Sequence, residues 1–440
     1  MPFLAKIYIV MDKLGKEPYK GVRDFYPEEK FRQNFIFNKW QKAAESFGYE
    51  EMNASPLEPT ELFEAKTGEE IINEQTYTFT DRGGRRVTLR PEMTPTVTRM
   101  VAKKKREMSF PVRLYSIANF FRYERPQRGR LREFYQLNCD LFGASGASAD
   151  FEIVNLAYSI MKEFGVPDSK FEIRINNRKY LNSLFREYFS MDERGIQKIS
   201  KLVDKKNKIS KIEFMEQIKI LLGDKTKEFV NILENADLKK LSSLDSFFRE
   251  NEGLREINSL FEKLQEAGVK NYRYEPSLVR GLDYYTGMVF EIYDTGSKNN
   301  RSIYGGGRYD NLLQIFGEEA IPAAGFAIGD VPMSDFLQTY DLFPEYRSSA
   351  DLFISALKEE FIGAAEKLAQ ELRKEGVNVA VNLSAKKITG QINQTVKKSI
   401  PFILFVGREE IASEKYKIKN LKTGEEKILE KDSLAGFIKK

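Results

Sequence analysis

Apolar positions recur at helical spacing over residues 28–47, where Phe31, Phe35, Trp40, Ala43 and Phe47 fall on roughly one face and Gly48 supplies a stop. From there to about residue 145 the pattern turns to short strands such as YTFT (77–80) and PVRLYSIANFFRYE (111–124), separated by glycine- and charge-rich turns. DRGGRRVTL (81–89) sets a Gly-Gly pair between two such runs, which predicts a hairpin. Residues 150–163 return to helical spacing through Phe151, Val154, Leu156, Ile160 and Met161.

Between Val166 and about Gly268 the text is dense in Lys, Glu, Asn and Leu and nearly free of glycine, which predicts a mostly helical insertion. Strand signals resume over 272–330 with FEIYD, YGGGRYD and AAGFAIGD. A further unit starts near Ala350 and alternates strand (DLFISAL), helix, strand (VNVAVNL), helix and strand (PFILFVG), the pattern of a small α/β domain.

Composition narrows the chemistry. A chain of 440 residues has room for roughly three domains. Its 70 Lys and Arg against 65 Asp and Glu permit a nucleic-acid partner without demanding one. There is no histidine and a single cysteine, Cys139. Imidazole-based nucleophilic triads are therefore excluded, and a zinc site or an internal disulfide is not expected. No stretch approaches the ~18 uninterrupted apolar residues of a membrane span. The opening MPFLAKIYIVMDKLGK reads as an extension rather than a signal peptide, and the chain as cytoplasmic.

Four segments could carry chemistry. FRYERPQRGRLREFYQLNCD (121–140) holds five arginines around a Pro-Gln-Arg-Gly turn. Strand alternation lets Arg122, Glu124, Phe134, Gln136 and Asp140 share a face, a surface suited to a polyphosphate and a polar small molecule. A solvated hairpin is the competing reading. LVRGLDYYTGMVFEI (278–292) places Arg280 and Asp283 around Gly281, ahead of Tyr284 and Tyr285. YGGGRYDNL (304–312) allows close backbone approach but is not a P-loop. TLRPEMTPT (88–96), taken alone, predicts a capped helix start at Glu92–Thr94. The run Lys103–Arg106 reads as a solvated helix end.

Together these segments resemble histidyl-tRNA synthetases, of the class II aminoacyl-tRNA synthetases. The resemblance runs through KGVRDFYPEE (20–29), the dimerisation motif GYEEMNASPLEPTELF (48–63), TLRPEMTPTVTR, the motif-2 hairpin FRYERPQRGRLREFYQ, LVRGLDYYTGMVFE and YGGGRYD. It implies an α+β fold: a class II antiparallel sheet flanked by helices, a mostly helical insertion and a C-terminal α/β unit like an anticodon-binding domain. The divisions expected are an extension (1–18), catalytic parts at 19–165 and 269–345, the insertion (166–268) and the anticodon-binding domain (350–440). It further implies ATP with Mg2+, L-histidine and tRNA(His) as substrates, no zinc or organic cofactor, and a homodimer through motif 1.

By the same resemblance, Arg122 and Arg280 converge on the α-phosphate and the amino-acid carboxylate. Glu124, Arg130 and Phe134 take the nucleotide, and Gln127 meets the tRNA acceptor end. Glu92, Met93, Thr94 and Gln136 bind the amino acid near its α-amino group, Tyr284 lines the pocket, and Asp140 and Tyr285 address the imidazole. Three positions depart from the family. Asp140 stands where Glu is common, Pro56 falls one place late, and Pro332 occupies the site of an ATP-binding arginine in motif 3. The alternatives are a non-catalytic paralogue resembling the regulatory subunit of ATP phosphoribosyltransferase, or a tRNA-binding protein without activity. A histidine-charging enzyme that lacks histidine could be made during histidine starvation; drift or engineering explains the lack equally.

Overall fold

The computed structural model describes residues 15–64, 75–206, 209–235, 237–279, 284–296, 302–383 and 388–439. Most of the expected 1–18 extension, and Arg280 to Asp283, lie outside them. The chain divides into two compact units. One spans Gln33–Phe343 with the residues before the first helix, and the other spans Pro344–Lys440 with Pro27–Arg32.

The first helix, Pro27–Ser46, opens with Pro27 and two glutamates, whose charges oppose the helix dipole. It buries Ile36, Trp40, Ala43 and Ala44 and ends before Gly48, whose φ of +76° favours glycine. The strands of this unit are β1 (Glu50–Glu51), β2 (Leu57–Pro59), β3 (Tyr77–Thr80), β4 (Arg86–Leu89), β5 (Val112–Phe121), β6 (Glu133–Phe142), β7 (Phe171–Asn177), β8 (Tyr272–Tyr274), β9 (Met288–Asp294), β10 (Ser302–Arg308) and β11 (Ala323–Gly329). Eight of them form one sheet in the order β1-β5-β6-β11-β10-β9-β7-β8. Its pairings are antiparallel except at the two edges, β1–β5 and β7–β8.

Alternation splits the sheet into two faces. Leu137, Cys139, Leu141, Ile173, Ile175, Phe290, Ile292, Phe326 and Ile328 join the helix Gly146–Glu163 in one apolar core. The opposite, front face carries Phe134, Gln136, Asp140 and the tyrosines considered below. The mostly helical expectation for 166–268 therefore takes in a strand, because β7 lies within the large sheet. Beyond β7, the helices gather round a separate core of Phe185, Ile199, Phe229, Ile232, Leu241 and Phe248. Side chains of Asp192, Ser210, Asp237, Asp245 and Asn251 cap five of these helices in turn.

A three-stranded sheet, β2-β4-β3, is inside out. In one register row Glu58, Thr88 and Thr78 align, and Thr88 and Glu58 are 0% and 5% exposed. Thr88 bonds Thr78 at 2.8 Å and Thr60 at 3.0 Å, while Glu58 pairs with Arg99 at 2.8 Å. The apolar rows, Leu57–Leu89–Tyr77 and Pro59–Val87–Phe79, face outward, with Leu57 45% and Phe79 48% exposed.

The second unit holds a sheet of order β13-β12-β14-β15-β16, built from β12 (Leu352–Ala356), β13 (Val379–Val381), β14 (Phe402–Val406), β15 (Lys415–Asn420) and β16 (Glu426–Glu430). Its first three strands are parallel, as the strand–helix alternation predicts. The closing antiparallel hairpin β15–β16 was not expected.

Packing at the centre of the large sheet is tight. A Cβ on Gly306 would lie 2.0 Å from the Gly325 carbonyl oxygen and 2.5 Å from Phe326 Cβ. Gly306→Ala is expected to lower stability by ~3 kcal/mol, because backbone must move, and urea denaturation of the purified variant measures it.

Candidate active site

The front face is built row by row. On β6, Phe134, Gln136, Asn138 and Asp140 project to the same side, a span of ~20 Å from first to last. Across β11 and β10 the facing positions are Gly329, Ala327 and Gly325, then Gly305 and Gly307. Small residues thus make a trough. A Cβ on Gly325 would lie 2.6 Å from Tyr309 Oη and 2.9 Å from Asp140 Oδ1, and one on Gly307 would lie 2.8 Å from the Tyr285 ring. The glycines of YGGGRYD and AAGFAIGD admit these side chains.

One end of the trough is aromatic and acidic. Tyr309 Oη donates to Asp140 Oδ1. Tyr284 and Tyr285 lie with ring centroids 5.0 Å apart, and Tyr284 meets Tyr309 edge-on at 5.7 Å. Tyr284 Oη donates to Glu92 Oε2 at 3.2 Å. Burial pushes the Asp140 carboxyl from 3.8 up to about 7; the Tyr309 hydrogen bond pulls it down and the Glu92 charge adds to the rise. Tyr309 was missed by the sequence reading. Its signal was the tyrosine directly after the last strand residue of YGGGRYD.

Glu92 is placed by a residue that the sequence reading passed over. The buried Arg90 donates to Asn119 O at 2.9 Å and Ala54 O at 2.8 Å and lies over the Phe120 ring. That fixes the Arg-Pro turn against β5. The helix start expected at Glu92–Thr94 is found, at Thr94, but without its cap. The helix Thr94–Lys104 has Met93 as its N-cap with no side-chain cap bond, since Glu92 is turned to Tyr284. Met93 is fully buried, and Thr94 and Gln136 are partly exposed.

The other end is the β5–β6 hairpin. Arg122 donates from Nε to Pro91 O at 3.0 Å and lies over the Phe134 ring at 5.5 Å. Phe134 stacks with Phe120 at 6.0 Å. Glu124 sits between two guanidiniums, with Arg130 at 3.1 Å and Arg122 at 4.0 Å. Gln127 lies exposed at the tip, where its backbone pairs with Arg130. The hairpin is tied down on both flanks. Gly21 O accepts from Arg132 N at 2.7 Å, and Arg128 pairs with Asp335 at 2.9 Å.

Pro332 sits in the first turn of the helix Asp330–Thr339. At its start the buried Asp330 accepts from Arg23 at 2.7 Å and from Tyr135 N at 2.9 Å, and burial raises its carboxyl above the usual range. The structure thus brings together Glu92, Tyr284, Tyr285 and Asp140 at one end and Arg122, Glu124, Arg130 and Phe134 at the other. Arg280 lies outside the described residues. The stretch leading to it is held by Asn176, whose Nδ2 donates to Pro276 O and Leu278 O, both at 3.0 Å.

A helix-backed antiparallel sheet with an arginine-bearing hairpin across its open face is the catalytic fold of a class II aminoacyl-tRNA synthetase. The model described as "Histidyl-tRNA synthetase" matches residues 21–330, and "Anticodon binding domain" matches 351–440. The chain belongs to the histidyl-tRNA synthetase family. It is 40% identical over 412 residues to a histidine–tRNA ligase of Leptospira biflexa, covering 93% of this chain and 94% of that one. It is 35% identical over 429 residues to the ligase of Thermoplasma volcanium, covering 96% and 98%. In fold it is similar to the histidyl-tRNA synthetase of Nostoc sp. PCC 7120, with a TM-score of 0.83 at 24% identity over 97% of this chain and 99% of that one. Among the described residues no helix is long and apolar enough to cross a membrane.

Ionisation of Asp140 opposes folding. The unfolded carboxyl loses its proton near 3.8 and the folded one near 7, so native stability falls as pH rises between those values and is level above them. Asp140→Asn keeps an acceptor for Tyr309 and lacks that fall. Its stability relative to wild type is expected to be ~3 kcal/mol more favourable at pH 8 than at pH 5, at about 1.4 kcal/mol per pKa unit, as read by urea denaturation at both values.

Proposed function

We propose that this chain is a histidine–tRNA ligase: it condenses L-histidine with ATP to histidyl-adenylate, releases pyrophosphate, and passes the histidyl group to the 3′ end of tRNA(His). The observation that carries the reading is the trough itself. It runs from a buried acid–phenol pair to an arginine hairpin, a length suited to an amino acid laid end to end with a nucleotide.

The substrate carboxylate is already ionised at neutral pH, so attack on the α-phosphorus needs no general base, and a chain without imidazole loses nothing. The enzyme supplies alignment and compensation of the charge that builds on the phosphate oxygens. Arg122 takes the α-phosphate, with its guanidinium bonded to Pro91 O and set over the Phe134 ring. Arg280 approaches from the amino-acid side. Phe134 stacks on adenine, Glu124 contacts the nucleotide, and Arg130 takes the distal phosphates of ATP, which arrives as its magnesium complex.

At the opposite end, Asp140 accepts from the imidazole N–H and Tyr285 donates to the other ring nitrogen. Glu92, Thr94 and Gln136 receive the α-amino group, with Met93 and Tyr284 as walls. A site with such paired polar groups rejects apolar isosteres strongly. Gln127 meets the acceptor end of tRNA, and the 350–440 unit meets the anticodon. The catalytic parts are 19–165 and 269–345, with the insertion between them. The reading puts the enzyme in the cytoplasm, beside the ribosomes that it supplies.

The outward apolar face of β2-β4-β3 supports a homodimer through motif 1, since β2 lies within 48–63. Leu57, Pro59, Val87 and Phe79 stand on that face, which a second copy would cover. Phe79→Asp is expected to shift sedimentation toward monomer at micromolar protein; unchanged dimer would remove this interface.

Purified protein is expected to catalyse histidine-dependent ATP–pyrophosphate exchange. Arg122→Ala should lower its turnover by at least ~100-fold. Arg280→Ala should reduce turnover far more than it weakens histidine binding. Absence of exchange with every amino acid, together with binding to a phosphoribosyltransferase, would favour the regulatory-subunit reading instead.

A further inference from the structure

Between the two ends of the trough, the floor holds a polar pair to which the family resemblance assigns no role. Asn138 lies on β6 midway between Gln136 and Asp140, on the same face as both. Its register partner on β5 is Ser116, and its partner on β11 is Ala327. Asn138 is 3% exposed and Ser116 1%. Neither Asn138 Nδ2 nor Ser116 Oγ has a hydrogen-bond partner among the described residues.

Two adjacent polar groups so placed are unfavourable in the protein alone, because buried donors are nearly always satisfied. Their neighbours border the trough. Gln136 and Ala327 on either side are partly exposed, and beyond the Ala327 methyl the facing position on β10 is Gly305. Other polar groups of the cleft are engaged: Asp140 is bonded to Tyr309, Glu92 to Tyr284, and Arg122 to Pro91. Asn138 and Ser116 thus set two unengaged groups side by side on the floor, where the middle of the amino acid would lie.

We propose that Asn138, backed by Ser116, is a substrate-recognition residue: its Nδ2 donates to an acceptor of the bound amino acid, directly or through one water shared with Ser116 Oγ. The inference rests on the ligase reading and deepens it. It also bears on Asp140, which is one methylene shorter than the glutamate common in the family. A donor two residues away on the same strand face gives the substrate a second anchor where the first is set back.

The test uses the full chain. Asn138→Leu keeps the side-chain shape and removes the donor, and Ser116→Ala removes its companion. In ATP–pyrophosphate exchange, Asn138→Leu is expected to raise KM for histidine at least ~10-fold while KM for ATP changes less than ~2-fold; Ser116→Ala should shift the same constant in the same direction by less. Titration calorimetry with histidine alone should give a matching loss of affinity. The melting temperature of the ligand-free Asn138→Leu protein should equal or exceed that of wild type, because an unsatisfied buried donor has gone. Unchanged histidine KM, or equal loss for histidine and ATP with a lower melting temperature, would overturn the proposal and leave the ligase reading standing. Wild-type protein inactive with every amino acid would instead overturn the ligase reading, and this proposal with it.

Discussion

A single buried guanidinium organises the tyrosine-lined end of the trough. Arg308, with its side chain 5% exposed, donates to Asp150 on the back helix at 2.6 and 2.9 Å, to Asp310 at 3.1 Å and to Ala144 O at 3.2 Å. Asp310 in turn accepts from Ala323 N and Thr286 Oγ1, while Thr286 N donates to Arg308 O. Gly287 packs on the methylenes of Arg308, where a Cβ would come within 3.0 Å. One side chain thus locks the turn after Tyr285, the start of β11, and the residue after Tyr309. A charge this deep is tolerated only when fully satisfied, and losing one partner typically costs about 3–5 kcal/mol. Burial still wins at Asp150, whose carboxyl is pushed up to about 6 against the pull of Arg308.

From that clamp the geometry follows outward. Tyr309 is fixed by its neighbour and delivers its hydroxyl to Asp140 over Gly325, where no Cβ intervenes. Tyr285 lies over Gly307 for the same reason. Arg90 does the equivalent work on the other side of the cleft, with its planar head bonded to two carbonyls and lying over Phe120, so that Glu92 is aimed at Tyr284. Positions that look like backbone punctuation in the sequence, Arg-Pro and Gly-Gly-Gly, are thereby the supports of the site.

Much of this was legible along the chain because it depends on local pattern. Helical spacing located Pro27–Ser46 and Gly146–Glu163, and period-two alternation put Phe134, Gln136 and Asp140 on one face. What stayed hidden depends on register between distant strands. Nothing local places Tyr309 against Asp140, 169 residues away in sequence. Nor does local pattern reveal that β7 leaves the helical insertion to join the large sheet. The β2-β4-β3 sheet misleads in a different way. Its alternation is clear, but its polar row is the buried one, sustained by the Thr60–Thr88–Thr78 hydroxyl chain and the Arg99–Glu58 pair, so the usual rule for choosing the inner face fails. The β15–β16 hairpin was obscured by lysines: Tyr416 and Ile418 are its buried positions, within a run whose charged residues dominate the composition.

The proline at 332 is structurally inexpensive. Backbone N–H groups in the first turn of a helix have no partner within it, so a residue lacking that donor fits there. The start of the helix is secured otherwise, by Asp330 between Arg23 and Tyr135 N. Proline in place of the arginine expected there therefore leaves the helix start intact. Of the guanidiniums on the hairpin, Arg128 is engaged by Asp335 on that same helix, and Arg132 by Tyr19 and the Tyr123 ring. Arg122, Arg125 and Arg130 remain, and of these Arg122 and Arg130 lean on Glu124. In the proposed reaction, compensation of phosphate charge falls on this pair, and Glu124 keeps two like charges close together until a triphosphate replaces it as their counter-ion.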